Sequence, residues 1–509
     1  MERHAVQPIN SVTRFGLTQL LYTITTILFI LFSTAAAATQ ELLRGFTSTP
    51  DPSVSSFQAL LSDSTGNYSL GFIRVKQTQL ALSVIHVPSS EQLWVANMTR
   101  LPKWSGPTRL FFNGSLVISD SHSGVFWSTQ TDGDRVWISN TSNLQIEKLD
   151  QSHSILWQSF QFPSDTLVEN QNFTSAMSLV SSNGLYYMML GSDFVGLYAR
   201  FNPGSDSNQI YLKHKALEAK ADVIEGQGPI YMVLSSDGFL GMYQNGLVPV
   251  DVQSFSTFQQ RGSGIRRVRI EPDGNLKGYF WTGSSWVLDY QAISDPCELP
   301  SSCGSYGLCQ PGKGCSCINN RTDHSSGGCD PQENNSGDFC GTNGDDKYWV
   351  LRRNGVELPF KELMGYEKMG SELQCERACE VNCTCWGVVY SNSSGFCYMI
   401  DYPIQSLVGI GDETKVGYFK VREGVGKKDR VVGYGVGIGV DRVVGYGVGI
   451  GVLCGAVLVF GMVVGFGIFR VWKRKRGVKG YVEEDGEVGV GPYKNLGSAS
   501  FRSIELCEK

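Results

Sequence analysis

Between residues 40 and 290, apolar and polar positions alternate in short runs that turn residues cut apart. Asn67–Ile73, Leu93–Ala96, Leu110–Ile118 and Val125–Ser128 are runs of this kind, rich in aromatic or β-branched residues and separated by clusters of Ser, Asn, Asp and Gly. Runs of that length and period predict half-buried strands. Helical periodicity is scarce; the one short stretch that shows it is His214 to Ile224. Gly124-Val-Phe-Trp-Ser128 and Ser154-Ile-Leu-Trp-Gln158 set a Trp in similar surroundings, which predicts strands recurring in a similar setting. A strand-rich array with periodic Trp predicts a prism, a sandwich or a barrel, and local pattern does not choose among them.

Farther on the pattern changes from alternating to continuously apolar. Val443 to Phe469 holds no charged residue and runs into Arg470, Lys473, Arg474, Lys475 and Arg476. Its 27 residues would span roughly 40 Å as a helix, more than the ~30 Å a hydrocarbon core requires. A basic cluster on one side only predicts that side to be cytosolic. Residues 1–38 have the layout of a secretory signal: Arg3 and Arg14, an apolar run from Leu20 to Phe32, then Ala35 to Ala38 as a cleavage site. The expectation is a single-pass type I plasma-membrane protein with its N-terminus outside. Nine N-glycosylation sequons agree, at Asn67, Asn97, Asn113, Asn140, Asn172, Asn320, Asn334, Asn382 and Asn392, and none follows Val421.

Asp429 to Val440 is repeated without change as Asp441 to Val452, so the span begins inside the second copy of a tandem duplication. Residues 422–442 then read as a juxtamembrane linker. Gly447, Gly451 and Gly455 fall at four-residue spacing, as do Gly461 and Gly465. Such spacing makes them candidate helix contacts; the alternative is a Gly-rich span inherited from the duplication. In the tail, 470–509, Tyr493 and Leu496 fit the Y-x-x-Φ form of an endocytic sorting signal.

Of 14 cysteines, twelve lie between Cys297 and Cys397, an even number in a region read as secreted. That predicts six disulfides. The rival reading of the Cys-x-Cys and Cys-x3-Cys patterns is zinc, whose paired knuckles belong to reducing compartments; a signal peptide, sequons and an even count favour disulfides. Ser371 and Gln374 form a capping box that opens a helix carrying Cys375 and Cys379 on one face, with Asn382 as a left-handed stop. The net charge of −5 gives no nucleic-acid footprint. No G-x-S-x-G, H-E-x-x-H or Walker lysine motif occurs. His86, His122, His153, His214 and His324 are isolated in the sequence and read as surface residues. No enzyme, cofactor or metal is expected.

Leu93-Trp-Val-Ala-Asn97, Ser142-Asn-Leu-Gln-Ile146 and Leu156-Trp-Gln-Ser-Phe-Gln-Phe-Pro-Ser-Asp-Thr-Leu167 resemble the bulb-lectin part of plant S-locus glycoproteins and G-type lectin receptor kinases. Ile270-Glu-Pro-Asp-Gly-Asn-Leu276, Trp286 and Asp295-Pro-Cys297 resemble the end of the S-locus region. The resemblance implies a mainly β chain: a bulb-type lectin-like domain at 39–170, a second lectin-like or S-locus region at 171–292, both of β-prism type, an EGF-like module at 293–330 and an α+β PAN/apple domain at 340–421. It implies the pairs Cys297–Cys309, Cys303–Cys315 and Cys317–Cys329 in the first disulfide module. In the second it implies Cys375–Cys397 and Cys379–Cys385, which leaves Cys340 and Cys383 for each other. Mannose-binding bulb lectins carry Q-x-D-x-N-x-V-x-Y on one strand face. One placement of that frame here gives Phe111, Asn113, Ser115, Val117 and Ser119; another gives Ser139, Thr141, Asn143, Gln145 and Glu147. The polar constellation is mostly absent, which favours a lectin fold used as a protein-binding scaffold. Receptor kinases of the family continue into a catalytic domain, whereas no H-R-D or D-F-G motif occurs here. The expected function is therefore a kinase-less surface recognition protein, a co-receptor or decoy. Its expected partners are an extracellular peptide, protein or glycan, and a receptor kinase in cis or a second copy. The alternative is a wall-associated adhesion glycoprotein that binds polysaccharide.

Overall fold

The computed structural model describes residues 39–422 except 99, 202–207, 217–229, 245–247, 260–263, 320–328, 330–338 and 341–347. The signal peptide, juxtamembrane linker, membrane span with Gly447, Gly451 and Gly455, tail with Tyr493 and Leu496, and sequons Asn320 and Asn334 lie outside the described residues, as does His324. Among the described residues no helix is long and apolar enough to cross a membrane.

Residues 41–158 form three antiparallel sheets of four strands. The first is Phe57–Ser62, Tyr68–Val75, Gln79–His86 and Glu91–Val95; the second joins Thr47–Ser48 to Thr108–Phe112, Leu116–Asp120 and Gly124–Ser128. The third joins Glu41–Leu43 to Arg135–Ile138, Leu144–Glu147 and Ile155–Gln158. Alternate residues of all three turn to one interior. Leu70 and Phe72, Leu82 and Val84, Leu110 and Phe112, Leu116 and Ile118, Val136 and Ile138, and Leu144 and Ile146 are buried in a single apolar cluster. Period-2 side chains from three sheets facing one core make a prism.

The recurring Trp of the sequence closes this prism. Trp94, Trp127 and Trp157 come from the last strand of each sheet, and their rings meet pairwise edge to face at 6.0, 5.9 and 6.0 Å. Edge-to-face packing sets the positive ring edge of one indole on the negative face of the next. Phe162 stacks on Trp157 at 5.6 Å, and the indole N–H of Trp94 donates to the Phe162 carbonyl at 2.8 Å.

Residues 166–291 repeat the wiring. Thr166–Val168, Asn172–Phe173 and Leu179–Val180 each give an edge strand to a different sheet. Hairpin-linked strand triplets complete the sheets in the order 186–215, 231–254 and 266–291. The second prism starts at Thr166, five residues before the expected 171, because this strand pairs with Arg266–Ile270. The helical reading of His214 to Ile224 is corrected at its start. His214 lies in the strand Gln209–Lys215 and pairs with Val195. Six cross-strand partners on Phe194–Ala199 outweigh the weak local period.

The two cysteine-rich stretches share a sheet. The hairpin of Gly307–Gln310 and Gly314–Cys317 is extended by Val408–Gly409 and Val356–Glu357. Beyond it a five-stranded antiparallel sheet runs in the order Tyr348–Asn354, Lys415–Arg422, Gly387–Ser391, Phe396–Ile400 and Glu367–Lys368. The helix Glu372–Val381 packs on it with Cys375 and Cys379 buried. Ser371 accepts from the Gln374 N–H at 3.4 Å, and the Gln374 side chain accepts from the Gly370 N–H at 2.9 Å. The return bond thus lands one residue before the expected cap. Asn382 is extended, at φ −98° and ψ 107°, not left-handed. The chain leaves the helix directly into the disulfide at Cys383, and a buried lysine, Lys420, donates to the carbonyls of Cys379 and Asn382 at 2.8 and 3.1 Å. That side chain does the capping that a left-handed turn would otherwise do.

Disulfides join Cys297 to Cys309, Cys303 to Cys315, Cys317 to Cys329, Cys340 to Cys383, Cys375 to Cys397 and Cys379 to Cys385. Apolar residues of the second prism and of both cysteine-rich stretches share one continuous cluster, in which Phe201 stacks on Tyr402 at 4.4 Å, while Cys297, Cys303 and Cys309, and Cys375, Cys379, Cys385 and Cys397, are buried in two smaller ones.

Candidate functional site between the prisms

The residues on the mannose frame are engaged by the protein itself. Ser115 Oγ lies 3.1 Å from Ser128 Oγ and accepts from the Thr131 N–H. Asn143 is buried, donates to Gln158 Oε1 at 2.8 Å, and accepts from Ser159 Oγ and the Phe160 N–H. Gln145 is buried and donates to the same Gln158 oxygen, while Glu147 is buried and ion-paired to Arg135 at 2.8 Å. Ser139 and Thr141 bond each other at 2.7 Å, and Phe111, Val117 and Ser119 pair within the second sheet. Hydroxyls and amides held this way offer a sugar little that is unpaired.

The chemistry instead gathers where the prisms meet. On the first prism, Tyr68 and His86 are opposite one another on adjacent strands, with Glu91 at the next strand's start. On the second, Arg266–Ile270 alternates its arginines between faces, so Arg267 and Arg269 reach across together. Glu91 Oε1 accepts from Arg267 at 3.0 Å and Arg269 at 2.6 Å. Burial alone would raise the Glu91 carboxyl, but the two guanidiniums overcome it and hold the pKa below the ordinary value. The Trp286 indole donates to Ser89 Oγ at 2.9 Å, and Ser89 Oγ lies 2.8 Å from His86 Nδ1.

His86 is therefore no surface residue: it is 3 % exposed, with Trp281 and Trp286 edge-on at 5.1 and 5.7 Å. Burial, and then the charge of Arg267, lower its pKa, which keeps the ring neutral. His214 is not isolated either, since its Nε2 lies 2.6 Å from Asp251 Oδ2. His122 and His153 are exposed as expected.

Two hollows open at this junction. The outer, of 430 Å³, is lined by Asn67, Tyr68, His86, Ile265, Phe280 and Trp281, among others. The inner, of 70 Å³, is lined by residues that include Tyr68, Asn140, Thr141, Glu169, Arg266 and Trp286. Tyr68 and Ile265 border both. The Arg266 side chain is 1 % exposed: its Nη1 donates to the Ser236 carbonyl and its Nη2 to Thr257 Oγ1, while its Nε makes no hydrogen bond but stands 3.9 Å from Asp289 Oδ2, and Glu169 Oε1, also without a hydrogen bond, stands 3.7 Å from Arg266 Nη1. Burial raises the Glu169 carboxyl against the pull of Arg266. Burial, with the charges of Glu169 and Asp63, pushes the Tyr68 phenol up to about 12, so it stays a neutral donor. Among the described residues no group of three His, Cys, Asp or Glu could hold a metal ion.

Of the residues at this junction the sequence marks as binding or modification sites only Thr141, on the mannose frame, and the sequon acceptors Asn67 and Asn140. Three arginines within five positions of one strand, Arg266, Arg267 and Arg269, were the available signal, since such a strand requires acidic partners. Of the sequons among the described residues, Asn67, Asn97, Asn113, Asn140, Asn172 and Asn392 are exposed, and Asn382 is half-buried.

Comparison with known proteins fits this architecture. A D-mannose binding lectin family matches residues 92–185, and the S-locus glycoprotein domain matches residues 239–322. A two-domain fetuin-binding lectin of Scilla campanulata overlaps 50% of this chain and 100% of its own at 16% identity and a TM-score of 0.20, too low to carry an argument. Two G-type lectin S-receptor-like serine/threonine-protein kinases of Arabidopsis thaliana are 27% and 26% identical over 68% and 66% of this chain. The chain spans only 40% and 43% of their length. A PAN domain-containing protein of Arabidopsis thaliana is 50% identical over 92% of both chains. On that identity, and with the lectin and S-locus matches, the chain belongs to the S-locus glycoprotein-like family of PAN domain-containing proteins.

Proposed function

We propose that the protein is a kinase-less, single-pass cell-surface recognition protein, a co-receptor or decoy that binds an extracellular peptide, protein or glycan. The observation that carries this reading is the match to receptor kinases over two thirds of this chain, joined to the lack of any H-R-D or D-F-G motif in the 509 residues. The engaged mannose frame supports a lectin fold used as a scaffold. In this reading residues 1–38 are removed, 39–170 and 171–292 are lectin-like, 293–330 is EGF-like, 340–421 is a PAN domain and 443–469 anchors the chain. The protein then works at the plasma membrane without catalysis, beside a kinase in cis or a second copy.

Proximity labelling from the extracellular side in living tissue tests this. Recovery of a receptor kinase is the expected result; recovery of wall components alone would replace the reading with an adhesion glycoprotein. Deleting 477–509 adds a second test, because a tail that signals or sorts should change surface abundance or phenotype when removed. Deleting 443–469 should release the chain from carbonate-washed membranes; retention there would overturn the anchor.

A further inference from the structure

The joint between the prisms is crossed by a hydrogen-bond relay that ends on a histidine. The Trp286 indole N–H of the second prism donates to Ser89 Oγ of the first at 2.9 Å, and Ser89 Oγ lies 2.8 Å from His86 Nδ1. The Glu91 backbone N–H also donates to Ser89 Oγ, at 3.4 Å. A serine hydroxyl has two lone pairs and one proton. With the indole and the amide on the lone pairs, the proton is left for His86 Nδ1, which is closer than the His86 carbonyl at 3.5 Å. That bond requires the tautomer with Nδ1 bare, and so a neutral ring.

A proton on Nδ1 reverses the relay. The hydroxyl must then turn its own proton away, and three N–H donors compete for two lone pairs, the indole of the opposite prism among them. The charge adds a second cost. Arg267, on the second prism, lies 4.7 Å over the Trp286 ring, and that ring is 5.7 Å from the His86 ring. Two cations would thus meet the same indole from opposite prisms. Among the described residues, the titratable groups facing the ring are Tyr68 from one neighbouring strand, Glu91 from the other and Arg267 from across the joint. None of them offers a free carboxylate. Glu91 is taken by Arg267 and Arg269 at 3.0 and 2.6 Å, and the Tyr68 phenol stays neutral. Beyond Tyr68, Glu169 stands 3.7 Å from Arg266, and Asp63 accepts from Thr65 and the Tyr68 N–H. His86 borders the outer hollow, which gives solvent protons a route to it.

We propose that His86 is an acid-sensitive latch: neutral, it holds the prisms together through Ser89 and Trp286, and protonated, it repels Arg267 and releases the joint. In the closed joint burial, and then Arg267, lower the ring's pKa; in an opened joint the ring returns toward its ordinary 6.5. The closed form therefore binds fewer protons. It is fully favoured above that ordinary value and loses stability as pH falls from there toward the lower closed value. Glu91 titrates lower, since its carboxyl is held below 4.5. The two groups at the joint thus act in separate ranges.

The test is hydroxyl-radical footprinting of the purified full-length chain in detergent, read by mass spectrometry from pH ~7.5 to pH ~5, the range in which a histidine changes charge. Labelling of Trp286 and Tyr68 should rise several-fold, and reversibly, as pH falls. Phe72, inside the first prism, and Trp386, in the cysteine-rich region, are buried and should stay protected. His86→Phe keeps a ring that takes no charge and should abolish the rise. Arg267→Gln removes the opposing cation and should shrink it, whereas Glu91→Gln should leave the rise in place. Labelling of the native chain that stays flat across this range overturns the latch. So does a rise that either His86→Phe or Arg267→Gln leaves unchanged, or one that Phe72 and Trp386 share, which is unfolding. Proximity labelling can recover a receptor kinase whether or not the joint opens, so the latch and the recognition reading fail separately.

Discussion

Single residues near the C-terminal helix show how burial sets their roles. Lys420 is 1 % exposed, and its ammonium lies 5.3 Å from the Phe339 ring centroid and 4.9 Å from that of Tyr348 while donating to two carbonyls at the helix end. Burial lowers its pKa, yet those bonds and ring faces make a buried charge tolerable. Lys420→Met keeps the volume and strands the carbonyls, so it should cost about 2–3 kcal/mol in denaturant unfolding. A cost below roughly 0.5 kcal/mol, the size of an ordinary surface substitution, would mean that water caps the helix equally well. Asn382 offers a second test. Its side-chain Nδ2 donates to Met399 Sδ at 3.4 Å, its side-chain Oδ1 accepts from Thr384 N and Oγ1, and the middle residue of its sequon is tied into the Cys340–Cys383 bridge. Asn382 should stay largely unmodified while Asn67 and Asn392 carry sugar; glycopeptide mass spectrometry that finds Asn382 fully occupied would sink this.

Among the elements, each prism's three sheets depend on what fills the shared axis. In the first prism that is the Trp94, Trp127 and Trp157 triad, and Trp157 also stacks on Phe162. Trp157→Ala removes a ring that touches the other two, and should cost about 3–5 kcal/mol as read by thermal unfolding. A loss under about 1 kcal/mol, less than the packing of one aromatic pair and its buried area are together worth, would show that the sheets close without the triad. In the second prism the Glu271-Pro-Asp-Gly-Asn275 run fastens a hairpin instead. Gly274 sits at φ +86°, where an added Cβ would lie 2.9 Å from Pro300 Cγ, and its carbonyl accepts from the Tyr211 hydroxyl. Asn275 bonds Ile293 in both directions, at 2.7 and 3.0 Å. The motif thus ties the last sheet of the prism to the start of the cysteine-rich region.

Across the whole molecule, the joint between the prisms is polar where each interior is not. Glu91 holds Arg267 and Arg269 together, and its side chain remains 30% exposed. Glu91→Gln should therefore cost about 1–3 kcal/mol, between the limits for exposed and buried pairs. The carboxyl is held below its ordinary 4.5. Its contribution is present above that value and disappears as pH falls through the lower folded value. The stability gap between the native chain and Glu91→Gln should accordingly be full at pH 7 and shrink steadily below pH ~4.5. A gap constant from pH 7 to 3 in urea titrations would mean that the charge does not hold the joint. The cysteine-rich stretches behave differently, since they continue the second prism's own core and share a sheet with each other. They form one body with that prism, not beads on a string.

Strands, their period-2 faces and the recurring Trp were legible along the chain because they depend on neighbours in sequence. The even count of cysteines in one stretch likewise pointed to cross-linking, and Ser371 and Gln374 announced the start of the single described α-helix. Local pattern did not separate prism from sandwich or barrel, because that depends on which edge strand joins which sheet. Thr166–Val168 finds Arg266–Ile270 roughly a hundred residues away. His214 read as helical until its partner strand was in place, and the stop at Asn382 needed Lys420 from a distant strand. Six cysteines leave fifteen pairings open on spacing alone, and the fold closes one. The cleft was hidden for the same reason. Tyr68, His86, Glu91, Glu169, Arg266 and Trp281 are ordinary residues scattered over more than two hundred positions, and only the packing of two prisms brings their rings and charges to one place. Local backbone preference and alternation determined the elements; long-range pairing and burial decided the architecture, the cap and the site.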